Sequence, residues 1–214
     1  MPFERFERLT AEKRERILET AAQEFAEHGF EGASINRILE RAAMSKGAAY
    51  YYFADKADLF CTAVMYASDY VQISSMTIDL TSLDRETFWP TFAELHRRPL
   101  LRAFERPWLF AVIRVAGQLP PEFIAREPLA SLARTIITTT LGLVKRGQEL
   151  GLIRVDLEDS LIFAWLQGLD RASDQWLMER WAQLDRAMLT RISDATVEAM
   201  HRALAPDRSS LSSA

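Results

Sequence analysis

One cysteine, three histidines and eight scattered glycines leave this 214-residue chain few ways to do covalent or metal chemistry. Cys61 alone cannot close an intrachain disulfide and has no companions at zinc-ligand spacing; it reads as a small buried helix residue in a reducing compartment. His28, His96 and His201 are far apart in sequence, none of them near Cys61, and no glycine-rich run has the spacing that cradles phosphate. The expectation is a protein that is not an enzyme, with no catalytic residue, no metal site and no cofactor. Long apolar runs are also missing. No segment approaches the roughly 20 apolar residues of a membrane span, and the opening "MPFERFERLTAEKRER" lacks the apolar centre of a signal peptide. A cytoplasmic protein without a membrane partner is expected. Finally, the chain lacks an excess of positive charge: its formal net charge is −4, which argues against a surface that is basic all over.

Sustained two-residue alternation of β-branched residues is absent as well, so no sheet is expected. What is present is helical periodicity almost everywhere, and 49% hydrophobic residues, enough for a packed core. The fold class expected is all-α. Thr10 is placed to cap a first helix in which Ile17, Leu18, Ala21, Ala22, Phe25 and Ala26 recur at i, i+4 and i+8. "HGFEG" ends it, with Gly29 as the left-handed residue. Ser34 is placed to cap a short helix to about Arg41, and Ser45 a second from Lys46 to about Tyr52; "FADKADLF" then opens a longer helix from about Asp55 to Val71. Further helices are expected at about 86–97, 100–117, 122–150, 157–180 and 184–204, with Pro99, Pro107 and Pro128 at starts or kinks.

Two short helices joined by a three- or four-residue turn form a helix-turn-helix unit, whose second helix enters a DNA major groove. The local charge agrees. Residues 1–31 carry Arg5, Arg8, Lys13, Arg14 and Arg16 against eight glutamates, a balance of −3. Residues 32–56 carry Arg37, Arg41, Lys46 and Lys56 against Glu40 and Asp55, a balance of +2. The sign reverses where "SKGAAYYYF" (Ser45–Phe53) places three tyrosines in a row. A helix turns about 100° per residue, so the three sweep roughly 200° and cannot all face one core. Ala49 and Phe53, at i and i+4, take the inner face. Tyr50 then points forward to a base or phosphate, with Tyr51 and Tyr52 suited to phosphates on either side. Gly47, Ala48 and Ala49 permit close approach to base edges, and Lys56 adds a mobile positive charge. Arg37 is a further candidate for DNA contact; the alternative for Arg37 and Lys46 is an ordinary solvated charge, and for Ser34 and Ser45 a plain helix cap.

The span from about Arg14 to Cys61, with "F..HGF.G.S" followed by "SKG..Y.YF..K..L", resembles the DNA-binding domain of TetR-type transcriptional regulators. The resemblance covers nearly a quarter of the chain. It implies an N-terminal three-helix helix-turn-helix domain, residues 10–55, and a larger C-terminal helical domain, residues 56–205, that binds a small-molecule effector and forms a homodimer. Carried over by position, it implies phosphate or base contacts from Ser34, Ser45, Lys46, Ala48, Tyr50, Tyr51, Tyr52 and Lys56 to double-stranded DNA, in a palindromic operator. Three positions depart from the family pattern. Ala43 stands where glycine is usual in the turn, Ala48 replaces a frequent Thr or Ser, and Ala49 replaces a larger apolar residue. The alternative is a helical ligand-binding or protein-interaction module with little DNA binding.

The C-terminal part carries no motif of comparable specificity. Its aromatics are numerous enough to line an apolar cavity; Trp89, Phe92, Phe104, Trp108 and Trp165 are the candidates for an effector site. Arg114, Gln167 and the Asp170–Arg171 pair are the polar groups set among them, and a charge on an apolar helical stretch needs a partner. The last two helices are apolar on more than one face: Leu161, Ala164, Trp165 and Leu169 on one, Met188, Ile192, Ala195, Ala199 and Ala203 on the other. A second copy of the chain would cover the extra faces.

Overall fold

The computed structural model describes residues 2–45, 47, 51–73 and 78–206, and among them finds helices and no strand. The helices are α1 (Glu4–Glu7), α2 (Ala11–Gly32), α3 (Ile35–Arg41), α4 (Lys56–Tyr70), α5 (Phe88–Arg102), α6 (Pro107–Gly117), α7 (Pro121–Ile124), α8 (Leu129–Glu149), α9 (Asp159–Arg180) and α10 (Arg186–Leu204). Their contacts divide the chain into two units, Met1–Ser75 with Arg102–Thr135, and Met76–Leu101 with Ile136–Ala214.

In the first unit α2 is the central element. The Thr10 side chain caps it, accepting from the Lys13 N–H at 3.4 Å, and Ile17, Leu18, Ala21, Ala22 and Phe25 are buried along one face. Gly29 does adopt a left-handed conformation, φ 68°, but the helix bends there and runs on to Gly32 instead of ending. Only glycine takes that backbone without strain. Both α4 and α6 pack on α2 and on each other. Asp55 caps α4, accepting from the Asp58 N–H at 2.8 Å, and α4 buries Leu59, Phe60, Cys61, Ala63, Val64 and Ala67. Burial pushes the Cys61 thiol pKa up, which leaves it a poor nucleophile. Edge-on contacts link Phe25 to Phe60 (4.8 Å between ring centres), Phe60 to Phe30 (5.2 Å) and Phe30 to Phe123 (4.7 Å). Arg106, immediately before α6, pairs with Glu15 at 3.1 Å and with Glu19, both on α2.

The joint between α2 and α3 is built on a buried charge. Glu24 is completely buried, and its Oε1 accepts from the Ser34 N–H at 2.9 Å and from Arg37 Nε at 2.7 Å. Its Oε2 lies 3.6 Å from Arg41 Nη1 and 3.7 Å from His28 Nδ1. Burial by itself would raise the Glu24 pKa; the Arg37 and Ser34 hydrogen bonds and the charges of Arg37 and His28 outweigh it and hold the carboxyl below its ordinary value. Ser34 stands at the N-cap position as expected, but its hydroxyl makes no capping bond; Glu24 from the neighbouring helix receives the Ser34 N–H instead. After α3 the chain turns through Ala43, whose φ of 57° is left-handed, with the Met44 N–H returning to the Leu39 carbonyl at 2.8 Å.

The second unit packs Phe88 and Phe92 of α5, Leu143 and Val144 of α8, Ile162 and Leu166 of α9, and Val197, Met200 and Leu204 of α10 into one core. Gly147 is required where it stands, since a Cβ there would come within 2.6–2.8 Å of Ile153 and Phe88. His96 of α5 ties the helices together: its Nδ1 is 2.7 Å from Ser193 Oγ on α10 and its Nε2 3.1 Å from Asp170 Oδ1 on α9. Asp185 caps α10, accepting from the Met188 N–H at 2.7 Å.

Several expected boundaries move. The short α1 was not anticipated. Pro99 lies inside α5 rather than at a break; one lost backbone bond is tolerated because Phe88, Phe92 and Leu100 on the same helix are buried. The break falls after Arg102, where Pro107 provides a first-turn residue that needs no N–H donor. The expected helix 122–150 is two, α7 and α8, interrupted before Pro128, whose ring disfavours helical backbone at Glu127.

Two outcomes follow from the α2–α3 joint. Ala43→Gly removes a left-handed alanine costing about 1–2 kcal/mol against an unfolded-state entropy gain of about 0.4–1 kcal/mol; urea unfolding should show a net stabilisation of about 0.5–1 kcal/mol, and a loss of stability would contradict the strain. Glu24→Gln keeps an acceptor for Ser34 but deletes the charge, and should cost about 1–3 kcal/mol near neutral pH. Because the folded pKa is depressed, the Glu24 contribution is present above its unfolded pKa and disappears as pH falls through the folded value. The variant should therefore lose less stability than wild type on acidification, and parallel stability–pH curves would refute the assignment.

Candidate nucleic-acid interface

Of the nine residues expected to meet DNA, six can be placed. Lys46, Ala48 and Tyr50 lie outside the described residues, as does Ala49 of the inner face. Tyr51 and Tyr52 are helical, and Phe53 is buried beneath them at 3% exposure, the inward position expected for it. Tyr51 is half exposed, at 50%, and meets Tyr52 edge-on at 5.0 Å between ring centres. Tyr52 is half buried, its ring 6.0 Å from Phe6. Ser45 is exposed and Ser34 half buried.

The two expected cations that can be placed already have partners. Arg37 directs Nε to Glu24 and Nη2 to the Gly32 carbonyl at 2.8 Å, so its guanidinium orders the α2–α3 joint. Lys56 donates from Nζ to the Glu31 carbonyl at 3.1 Å and lies 4.8 Å over the Phe30 ring. Glu24, Glu27 and His28 bring ligand atoms within 4.8 Å of one another, but Arg41 Nη1 is 3.6 Å from a carboxylate oxygen of both Glu24 and Glu27. The positive charge at this cluster is arginine.

Three features near the tyrosines are additional to those expected from the sequence. Phe6 is buried against Phe53, 4.9 Å between ring centres. The Phe3 N–H donates to the Tyr52 carbonyl at 2.9 Å. The Arg5 guanidinium sits 4.3 Å over the Tyr51 ring. "FERF" carried a signal, since its two phenylalanines stand at i and i+3. Glu24 carried another, being a charge on the apolar face between Ala21 and Phe25.

The residues expected at an effector site divide between the units. Phe104, Trp108 and Arg114 belong to the first; all three are half buried. Trp89, Phe92, Trp165, Gln167, Asp170 and Arg171 belong to the second. Phe92 is core, and Trp89 stacks near it at 5.5 Å and against His201 at 4.4 Å. The indole nitrogens of Trp89 and Trp108 are buried without a hydrogen-bond partner among the described residues. Trp165 is on the surface, 37% exposed, and does not line an interior. Asp170 does not pair with Arg171: its partner is His96, and exposed Arg171 bonds the Gln167 carbonyl at 3.3 Å. Consecutive helix residues point about 100° apart, so a side-by-side pair in sequence is not a pair in space. The Ser193–His96–Asp170 trio has the residue types of a hydrolase triad, but Ser193 is fully buried inside α10, and the trio reads as a strut between helices.

Comparison with known proteins agrees with this geometry. Residues 17–61 match the family profile of bacterial regulatory proteins, tetR family. The chain is 25% identical over 155 residues to the HTH-type transcriptional repressor AcnR of Corynebacterium diphtheriae, covering 72% of this chain and 75% of that protein. With AcnR of Corynebacterium glutamicum the identity is 49% over 47 residues, 22% of this chain and 25% of that one. Among solved structures, a TetR family transcriptional regulator from Chloroflexus aurantiacus superposes with a TM-score of 0.68 at 23% identity over 95% of this chain and 98% of its own. FadR from Bacillus subtilis, solved in complex with stearoyl-CoA, superposes with a TM-score of 0.69 at 16% identity over 89% of this chain and 98% of its own. The helix-turn-helix joint and the tyrosine segment beside it lie within the span that matches the DNA-binding part of the tetR family, and the chain as a whole has the fold of TetR family transcriptional regulators.

Proposed function

We propose that the chain is a homodimeric repressor, acting in the cytoplasm on a palindromic DNA operator and released from it by a small-molecule effector. The observation that carries the reading is the tyrosine segment, in which Phe53 is buried and Tyr51 exposed, together with the Glu24 network that fixes α3 to α2. The relatives named as repressors favour repression over activation. For function, the division at residues 10–55 and 56–205 separates the DNA-reading helices from the part that carries the effector and the dimer contacts.

Dimerisation is supported by apolar surface on the last two long helices. Along α9, Leu161, Trp165 and Trp176 are each about two-fifths exposed (41%, 37% and 41%), with Ala164, Gly168 and Ala172 exposed between them. On α10, Ala195 and Ala199 are exposed and Met188, Ile192 and Ala203 half buried, opposite the buried row Leu189, Ser193, Val197, Met200 and Leu204. A two-fold pairing would cover these faces and set two recognition helices about one DNA turn apart, ~34–36 Å.

Effector control is supported within the first unit. Trp108, with its unpartnered buried indole N–H, stands on α6. That helix packs on α2 and α4, and Arg106 at its start is ion-paired to Glu15 and Glu19 of α2. A ligand accepting the Trp108 hydrogen bond would act on α6, and α4 and Arg106 would pass the displacement to the DNA-reading helices, with a coupling of about 1–3 kcal/mol.

Selection of random duplex DNA on the purified protein should recover a palindrome, bound more weakly as salt rises. Tyr50→Ala should lower affinity for that site by about tenfold or more. Absence of an enriched palindrome, or affinity indifferent to Tyr50, would refute the assignment in favour of a ligand-binding or protein-interaction module.

A further inference from the structure

We propose that the segment Phe3–Arg8, which lies outside the helix-turn-helix, is part of the DNA interface, with Arg5 contacting a backbone phosphate beside Tyr51. The inference rests on the DNA-binding reading and extends it to a segment outside the family match at residues 17–61.

Three observations place the segment. The Phe3 N–H bonds the Tyr52 carbonyl at 2.9 Å, tying this stretch of chain to the tyrosine segment. Phe6 is 1% exposed and packs against both Tyr52 and Phe53, so α1 is anchored on the tyrosine segment. Arg5 lies between two exposed rings, 4.3 Å over Tyr51 and 4.9 Å over Phe3. Anything that approaches the outer face of Tyr51 therefore meets Arg5.

The charges of the segment indicate what that partner is. Glu4 is paired with Arg8 at 2.8 Å, and Glu7 with Arg14 at 3.7 Å. Arg5 has no carboxylate partner among the described residues; its guanidinium rests on aromatic faces, which hold it in place and leave its edge donors unused. A planar cation with free edge donors, prepositioned beside a tyrosine that faces DNA, suits a phosphate oxygen. The stack also lowers the side-chain entropy that a mobile arginine would lose on binding.

The test measures affinity for the duplex recovered by selection at several salt concentrations, for wild type, Arg5→Ala, Arg5→Lys and Arg8→Ala, with thermal unfolding of each. Arg5→Ala should bind several-fold more weakly, and the slope of log affinity against log salt should shrink by about 0.9, one phosphate contact. Arg5→Lys should keep the wild-type slope, and Arg8→Ala, neutralised by Glu4, should leave it nearly unchanged. A merely structural role for Arg5 would lower the unfolding temperature and the affinity without altering the slope, and that result overturns the inference. So does an Arg8→Ala slope reduced as much as that of Arg5→Ala, which would show a general charge effect. Failure of wild type itself to bind DNA in a salt-dependent way is a different outcome, and sinks the underlying reading together with this one.

Discussion

The carboxylate of Glu24 is the point on which the DNA-reading end of this protein depends. A buried charge without partners is costly, and each of its partners here does structural work in being captured. The Ser34 N–H begins α3, Arg37 lies in its middle and Arg41 at its end. With seven residues, α3 is too short to hold itself together in water. Two apolar residues, Ile38 and Leu39, and this set of ion pairs and hydrogen bonds fix it against α2. The turn through Ala43 is tied to the end of α3 by the Ala43 and Met44 N–H groups, which return to the Glu40 and Leu39 carbonyls.

The same arrangement explains how an acidic chain works on a polyanion. The glutamates that make residues 1–31 negative are largely committed inside the first unit. Glu15 and Glu19 face Arg106, Glu24 faces Arg37 and Arg41, and Glu4 and Glu7 face Arg8 and Arg14. Net charge sums these paired groups with the unpaired ones, whereas a phosphate at short range responds to the groups nearest it. Among the described residues, the cation at Tyr51 is Arg5, seated on the ring itself.

Much of this was legible in the sequence, because it depends on local rules. The cap at Thr10, the left-handed Gly29 and the burial of Phe53 all follow from backbone preferences or helical spacing over a few residues, while the glycine-like turn at Ala43 came from the family resemblance. The helices at 157–180 and 184–204 were placed to within two residues for the same reason. What was not legible depends on partners remote in the chain. Asp170 and its neighbour Arg171 looked like a pair, but the partner is His96, 74 residues away. Ser34 looked like a cap, but its N–H is satisfied by Glu24 from another helix. Trp165 fitted both a cavity lining and an outer apolar face in the sequence, and only its packing distinguishes them: it is 37% exposed. Pro99 looked like a helix boundary, and the burial of Phe88, Phe92 and Leu100 overrode its local cost.

The fold presents an exposed Tyr51 beside a short helix that a buried carboxylate fixes in place, and carries apolar faces suited to pairing two such chains. Hydroxyl-radical footprinting of the selected duplex tests this most directly. Two protected patches with a common symmetry axis, centred about 10–10.5 base pairs or a multiple of that apart, are the result this account predicts. A single uninterrupted patch without symmetry, or two patches whose spacing varies from site to site, would contradict it.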